Sequence, residues 1–174
     1  MSEPVQVGMC AKRRYLQPAV AEQADEHLAS VGMTWSRTLR VHTTPVAKAR
    51  PRFAAGHAYT PTKTRHQEWE IRQAWMARHG DRPAMGPLRV EVIALLQMPK
   101  AVPKRDRATV LPMKRPDADN LAKTVLDGLK GVAWRDDAQI VDLRVRKAYV
   151  ASGAAPGWLI KLRDLTLPLE EESA

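Results

Sequence analysis

The spacing of apolar and polar residues predicts four β-strands. Residues 37–44 alternate in polarity, as expected for a half-buried strand. Residues 88–98 are rich in branched apolar side chains and lie between two prolines, which favours a buried central strand. Residues 139–150 alternate again, and residues 158–163 are expected to pair with them as the last strand.

Two segments have the spacing of helices rather than strands. The first begins near Thr62 or Thr64, either of which can cap it, and Gly80 is its expected end. The second covers residues 120–130 and is stopped by Gly131. Three side chains of the first helix are predicted to share one face, namely Trp69, Gln73 and Met76.

The order strand, helix, strand, helix, strand, strand predicts an α/β or α+β domain, with a small mixed sheet packed by two main helices. The chain has 174 residues, enough for one domain with its own core. We expect that domain to cover residues 36–165. Residues 1–35 are expected to be an N-terminal extension, in which residues 18–31 have the spacing of one amphipathic helix. Residues 166–174 are expected to be an acidic tail.

The charge of the chain changes the picture, because the formal net charge is +9 and is unevenly distributed. Residues 1–35 carry three basic against four acidic side chains, and residues 164–174 carry four acidic side chains and no basic one. Residues 36–163 therefore carry an excess of 14 positive charges. Such an excess favours an anionic polymer or an anionic membrane surface as the partner.

A membrane partner is disfavoured, since no stretch approaches the roughly 18 consecutive apolar residues of a spanning helix. The first residues also lack the pattern of a signal peptide. The single cysteine, Cys10, excludes an intrachain disulfide and a cysteine-based zinc site. The five histidines are scattered, with no pair at the spacing of a helical metal site. We therefore expect an intracellular protein.

Five aspartates between residues 117 and 137 are the candidate chemical groups of this basic chain. Clustered carboxylates repel one another, so a site that keeps them together usually holds a cation. Pro116 favours an extended chain just before Asp117, and alternate side chains of an extended segment share a face. Asp117 and Asp119 are thus predicted to project together and to bind Mg²⁺. An Asp-x-Asp pair alone is weak evidence, because such pairs are common in turns and at helix starts.

The next residues strengthen this interpretation. Asp119 is predicted to cap the second helix, and Lys123 and Asp127 follow at four-residue steps, so the three form one stripe. Alone, such a stripe is more typical of a solvated helix face. Asp136 and Asp137 come after the helix, and an antiparallel return of the chain can bring them beside Asp117. The apolar side of the helix is predicted to face the core and consists of Leu121, Ala122, Val125, Leu126 and Leu129.

Taken together, these residues resemble the signature of the RusA-like crossover-junction endodeoxyribonucleases, the Holliday-junction resolvases of phages and prophages. The resemblance spans roughly residues 37–163, and residues 1–35 depart from the smaller members of the family. It is carried by Pro-Asp-Ala-Asp-Asn-Leu at 116–121, Lys123, Asp127, Leu129, Gly131, Asp-Asp-Ala-Gln-Ile at 136–140, Arg-Pro-Arg-Phe at 50–53 and Tyr-Thr-Pro-Thr-Lys-Thr at 59–64.

The resemblance implies a homodimeric endonuclease that binds four-way DNA junctions in recombination and repair. It implies paired nicks that depend on Mg²⁺, for which Mn²⁺ can substitute, and the cytoplasm of a bacterium or a phage-infected cell. Its catalytic residues fall on Asp117, Asp119, Lys123 and Asp137. The three aspartates among them and Asp136 would hold metal, whereas Asp127 would support the site.

A set of basic side chains is expected to contact the DNA backbone. Trp134 is expected either to pack in the core or to fix the approach to Asp136. The expected DNA-binding residues are Lys48, Arg50, Arg52, Lys100, Lys104, Arg105, Arg107, Lys114 and Arg115.

Three alternatives remain open from the sequence. A sugar-nucleotide transferase also uses Asp-x-Asp to hold a divalent metal, but such enzymes are usually longer and carry a nucleotide-binding region. A non-catalytic junction-binding protein would have no use for acidic side chains facing DNA. A nuclease of the same family that acts on flaps or forks has the same expected residues, and the sequence does not separate it from a four-way junction resolvase.

Overall fold

The computed structural model describes residues 36–50, 52–54, 57–107, 109–151 and 153–165. The four predicted strands and two predicted helices are confirmed over these residues, and a short hairpin is added where the sequence indicated only a basic turn. The elements are β1 (Arg37–Val41), β2 (Arg52–Ala54), β3 (His57–Tyr59), α1 (Thr62–His79), β4 (Leu88–Leu96), α2 (Ala118–Leu129), β5 (Ile140–Tyr149) and β6 (Gly157–Asp164).

The main sheet of the described residues has four strands in the order β1-β6-β4-β5, and β2 and β3 form the separate hairpin. β4 is parallel to β5, whereas β6 is antiparallel to both β4 and β1. The expected mixed sheet with two main helices is therefore confirmed. The expected pairing of the last strand with residues 139–150 is wrong, because β6 lies between β1 and β4.

The path from β4 through α2 to β5 explains this order. A helix between two strands returns the chain to the end where the first strand began, so β5 runs parallel to β4. β6 then adds to the opposite edge of β4, where both of its faces are covered. Accordingly, Trp158, Ile160 and Leu162 of β6 are buried, whereas Val141 of β5 is 66% exposed.

The core lies between one face of the sheet and the two helices. Val90 and Val92 of β4 pack there together with three large tryptophans. The tryptophans come from α1, from the turn after α2 and from β6, and are Trp75, Trp134 and Trp158, each with 0% exposure. Burying such large side chains supplies much of the apolar surface that stabilises a domain of this size.

The helix α1 turns Ile71 and Trp75 to the core, and both are fully buried. Trp69 and Met76, which were predicted to share one face with Gln73, lie on the exposed side, with Trp69 57% exposed. The helix ends at Gly80, as predicted, and this glycine has a φ of 76°. A positive φ is costly for residues with a Cβ atom, which explains why glycine occupies this position.

The helix α2 is amphipathic in the predicted manner. Its apolar side faces the core, with Leu126 only partly buried, whereas Asp119, Lys123 and Asp127 are exposed. α2 also packs closely on α1, because a Cβ atom on Gly128 would lie 2.9 Å from the carbonyl oxygen of Glu68. The two helices therefore pack against each other in one layer over the sheet.

The other face of the sheet carries buried charge. Glu91 of β4 is 1% exposed and forms ion pairs with Arg146 of β5 and with Lys161 of β6. The Nζ atom of Lys161 lies 3.8 Å from Oε2 of Glu91, and Lys161 is itself only 4% exposed. Glu91 thus connects three neighbouring strands through ion pairs, one to the buried Lys161 and one to the half-exposed Arg146.

The expected N-terminal extension, with its helix over residues 18–31, and the expected acidic tail lie outside the described residues. Within the described residues, neither α1 nor α2 has the length and apolar character needed to cross a bilayer.

Candidate active site

The N-terminal end of α2 places Asp117 and Asp119. The helix begins at Ala118, so Asp117 rather than Asp119 occupies the N-cap position, with φ −76° and ψ 145°. The carbonyl of Asp117 accepts the backbone N–H of Leu121 at 3.1 Å. Asp119 already lies in the first helical turn. The prediction that both lie in one extended segment is therefore wrong, because a proline restricts the residue before it and not those after it.

Both carboxylates are exposed beside the free N–H groups of the helix start, whose partial positive charge favours anions. This end of α2 lies at the carboxyl ends of the parallel strands β4 and β5. Lys147, near the end of β5, fixes the arrangement, since its Nζ donates to the carbonyl oxygens of Lys114 and Pro116 at 3.1 and 3.0 Å. In open α/β sheets, ligands bind at this edge.

Lys123 is exposed on α2, one turn after Asp119. Residues four apart on a helix share a face, so its ammonium group and the carboxylate of Asp119 point to the same side. The predicted stripe is therefore present, and it continues with Asp127. A lysine and carboxylates on one exposed side would suit the binding of a metal together with a phosphate.

Asp127 is paired with Lys48, whose Nζ lies 2.7 Å from Oδ2 of Asp127 and 2.5 Å from Oε1 of Glu68. Burial disfavours the charged lysine, but the hydrogen bonds to the two carboxylates outweigh it and hold the pKa of Lys48 above its usual value. The backbone N–H of Lys48 also donates to Asn120 at 2.8 Å. Lys48, one of the expected DNA-binding residues, is thus engaged within the protein and braces α2.

Asp136 and Asp137 gather around Lys130 at the C-terminal end of α2. The Nζ atom of Lys130 lies 2.8 Å from Asp136 and 3.9 Å from Asp137. The hydrogen bond from Lys130 lowers the pKa of Asp136, helped by the backbone N–H of Ala138. Oδ1 of Asp137 accepts the indole N–H of Trp134 at 2.8 Å. Trp134 is thus both a core residue and the partner of Asp137, rather than of Asp136.

The two acidic groups, Asp117 with Asp119 and Asp136 with Asp137, stand at opposite ends of α2. A helix rises about 1.5 Å per residue, so the 12 residues of α2 separate its ends by ~18 Å. Asp136 and Asp137 precede β5, whereas the chain beside Asp117 is the end of β5, at Lys147. The prediction that the chain turns back and brings Asp136 and Asp137 beside Asp117 is therefore wrong for a single chain.

The carboxylates suit a divalent metal only in part. Mg²⁺ is held in many sites by one or two carboxylates together with waters and substrate phosphate, and Asp117 and Asp119 fit that description. Asp137 does not complete this set within one chain. In the part of the chain that the structure describes, no three Asp, Glu, His or Cys side chains stand close enough to hold one metal ion.

The basic loop, residues 97–117, joins β4 to α2 and ends at Asp117. Within it, Arg105 lies 3.7 Å from Asp106, and Nε of Arg107 donates to the carbonyl of Val102 at 3.1 Å. The side chain of Arg52 lies outside the described residues, and Arg50 is exposed. The expected DNA-binding residues of the loop are exposed, with Arg107 partly buried, and they are Lys100, Lys104, Arg105, Arg107, Lys114 and Arg115.

Lys130 and Lys147 were missed by the sequence analysis. Lys130 follows Asp127 by three residues and continues the polar stripe of α2, which is a signal that sequence alone offers. Lys147 lies among alternating residues of β5, and its contact with Pro116 depends on the placement of α2 over the sheet. No local pattern indicates that contact.

Comparison with known proteins covers the same part of the chain. The family model described as endodeoxyribonuclease RusA matches residues 42–163, which include both acidic groups and the basic loop. An uncharacterized protein named YqaN, from Bacillus subtilis (strain 168), is 30% identical over 120 residues. The match covers 63% of this chain and 84% of YqaN.

Proposed function

Because the chain belongs to the RusA family of endodeoxyribonucleases, we propose that it resolves four-way DNA junctions by two symmetric, Mg²⁺-dependent nicks. The observation that supports this most is the exposed pair Asp117 and Asp119 at the start of α2, directly after a loop dense in basic side chains. Carboxylates that face a polyanion repel it unless a cation lies between them. A divalent cation held by these carboxylates would resolve this conflict.

Each residue of the proposed site has a distinct task. Asp117 and Asp119 would hold the metal, which would lower the pKa of a water for attack on the phosphodiester and neutralise charge on the leaving oxygen. Lys123, on the same side of α2, either stabilises the charge that develops on the phosphate or orients the attacking water. Asp137, with Asp136 beside it, is the remaining candidate carboxylate and stands at the other end of α2, too far away to share a metal with Asp117 and Asp119 of the same chain.

The basic loop supplies the affinity for DNA. Its exposed lysines and arginines contact phosphates, which fixes the orientation of the duplex without reading its sequence. Because the loop ends at Asp117, phosphates held by the loop are delivered to the carboxylates. Binding of this kind weakens steeply as the salt concentration rises.

The test compares cleavage of four labelled DNA molecules by the full chain. These are a static four-way junction, a three-way branch, a flap and a linear duplex. We expect the four-way junction to be cut fastest, at two symmetric positions, in Mg²⁺ or Mn²⁺ and not in the presence of a chelator. Faster cleavage of the flap or the three-way branch would assign the protein to other branched DNA. Equal cleavage of linear duplex would contradict the proposal.

A pair of variants separates catalysis from binding. Asp119→Asn is expected to bind the junction and not to cut it. Asp81→Asn is the matched control, because it makes the same charge change at an exposed position outside the proposed site. If the unaltered protein binds the junction but cuts no DNA in either metal, it is a non-catalytic junction-binding protein.

A further inference from the structure

The outer face of the sheet, which we define as the side opposite α1 and α2, has apolar side chains at its centre. Side chains alternate between the two faces of a strand, and Val90 and Val92 of β4 pack under the helices. Ile93 and Leu95 of the same strand therefore lie on the outer face, where they cluster with Val150 and are 4% and 6% exposed. A sheet normally buries an apolar face against a second layer, and neither α1 nor α2 supplies that layer here.

Basic side chains surround this apolar centre. Strand alternation places them on the outer face together with two acidic side chains, Glu91 and Asp142. The basic residues of this face are Arg40, Arg89, Arg144, Arg146, Lys161 and Arg163. Six basic against two acidic side chains leave an excess of four positive charges. A layer that matches this face needs one apolar side and an excess of acidic residues.

Residues 18–31, which lie outside the described residues, have both properties in their sequence. Their apolar side chains recur at helical spacing, at Val20, Ala24, Leu28 and Val31. The same segment has no lysine or arginine, and its acidic residues are Glu22, Asp25 and Glu26. On a helix, Asp25 borders the apolar stripe, so it is the acid placed nearest to the basic side chains of the outer face. The segment therefore matches the face in polarity and in charge.

The length of the chain permits this placement. Ser36 is fixed to β6, because its Oγ donates to the carbonyl of Leu162 at 2.9 Å and accepts the backbone N–H of Asp164 at 3.3 Å. Residues 32–35 can span ~13 Å, and β4 lies two strand spacings, about 10 Å, from β1. A helix over residues 18–31 is ~21 Å long, enough to cross the four strands, which span about 14 Å.

We propose that residues 18–31 pack as a helix across the outer face of the sheet, with their apolar stripe over Ile93 and Leu95, and shield the basic side chains of this face from DNA. Those side chains would otherwise attract duplex phosphates regardless of sequence or branching. The helix thus confines DNA to the surface formed by the basic loop and the start of α2. This placement does not depend on the proposed function.

Thiol labelling tests whether the segment covers the face. The reporter is Ile93→Cys in a full chain carrying Cys10→Ser, which leaves it as the one cysteine. Adding Leu28→Gln removes an apolar contact of the segment. It is expected to raise the labelling rate by about 10-fold or more, because a buried thiol reacts only when it is uncovered. A Leu28→Gln chain in which Ile93→Cys stays protected would overturn the proposal.

Two controls accompany this measurement. Ala29→Gln, on the opposite side of the predicted helix, makes a polar change at the neighbouring position and should leave the labelling of Ile93→Cys unchanged. Val92→Cys, on the helix side of β4, should stay protected when Leu28→Gln is added, because the core under α1 and α2 is untouched.

A proximity measurement identifies the occupant of the face. Leu159 lies on the outer face beside Ile93. Leu28→Cys and Leu159→Cys, in the same Cys10→Ser chain, are expected to be joined within one chain by a short bifunctional maleimide. Ala29→Cys with Leu159→Cys is the matched control and should be joined far less. Links between chains that disappear on dilution would show that a second copy covers the face and would overturn the proposal. Protection of Ile93→Cys that appears only after DNA is added would overturn it too.

Binding of a linear duplex tests the shielding. In a gel-shift measurement at low salt, Leu28→Gln is expected to bind duplex about 10-fold more tightly than the unaltered protein, because more basic side chains reach phosphates. Ala29→Gln should bind duplex as the unaltered protein does. An unchanged duplex affinity, with Ile93→Cys made reactive by Leu28→Gln, would overturn the shielding. None of these measurements involves cleavage, so the failure of this inference and the failure of the proposed function are distinguishable.

Discussion

The indole N–H of Trp134 donates a hydrogen bond of 2.8 Å to Oδ1 of Asp137. The ring of Trp134 is fully buried, so it is a fixed donor that sets the direction of the carboxylate. Outer partners of this kind commonly orient the groups that bind a metal. A fully buried core residue therefore orients one carboxylate of the acidic group formed by Asp136 and Asp137.

Trp134→Phe is expected to lower junction cleavage by about 10- to 100-fold, because the carboxylate of Asp137 loses its fixed donor. Junction binding should be unchanged in a gel-shift measurement. Trp158→Phe is the matched control, since Trp158 is equally buried and its indole nitrogen has no hydrogen-bond partner among the described residues. Equal losses of cleavage in the two variants would show that bulk rather than the hydrogen bond matters.

The carboxylates themselves are tested by replacing the charge and keeping the shape. Asp117→Asn, Asp119→Asn and Asp137→Asn are each expected to lower cleavage by on the order of 100-fold or more, because a site for Mg²⁺ loses one negative ligand. Junction affinity should stay equal or rise, since one repulsive charge facing DNA is removed. Retained cleavage in two of these three variants would contradict the assignment.

The strands and helices were predictable because each carries a local periodic signal. α2 shows this best, since its apolar residues repeat at helical spacing and its polar stripe holds Asp119, Lys123 and Asp127. In α1 the signal was less clear, because Trp69 is exposed while the polar residues Thr64 and Gln67 are buried. Gln67 is tolerated there because its amide binds the backbone of Val46 and the hydroxyl of Thr43.

Strand neighbours and the arrangement of the site depend on contacts between distant residues. Nothing local in residues 157–164 shows that they lie between β1 and β4 rather than beside β5. The position of Asp137 relative to Asp117 depends likewise on the length of α2 and on the direction of β5. The candidate residues could therefore be named from the sequence, whereas their separation within one chain could not be predicted from it.

The buried ion pairs of the sheet make a prediction about stability. Glu91→Ala is expected to lower the free energy of unfolding by about 3–5 kcal/mol, because the buried Lys161 loses a carboxylate partner. Replacing both residues, as Glu91→Leu with Lys161→Met, is expected to recover most of that loss. Denaturant titration measures both. A Glu91→Ala protein that is as stable as the unaltered protein would contradict the structural role of Glu91.

A chain shortened to begin at Ser36 is expected to fold and to cut junctions in Mg²⁺. The Oγ of Ser36 donates a hydrogen bond of 2.9 Å to the carbonyl of Leu162 in β6, and β1 begins at the next residue. Residues 1–35 contain none of the candidate site residues Asp117, Asp119, Lys123 and Asp137. Circular dichroism and the junction assay check both points. A shortened chain that is folded but inactive would make residues 1–35 part of the active assembly.

The last prediction concerns assembly on DNA. Resolving a four-way junction requires two nicks at symmetry-related positions, and a two-fold dimer would supply two equivalent sites. We therefore expect a dimer at micromolar concentration in analytical ultracentrifugation. On a plasmid with an extruded cruciform, linear product should appear with little nicked circle. A protein that stays monomeric at micromolar concentration, on or off DNA, while still resolving junctions would contradict this prediction.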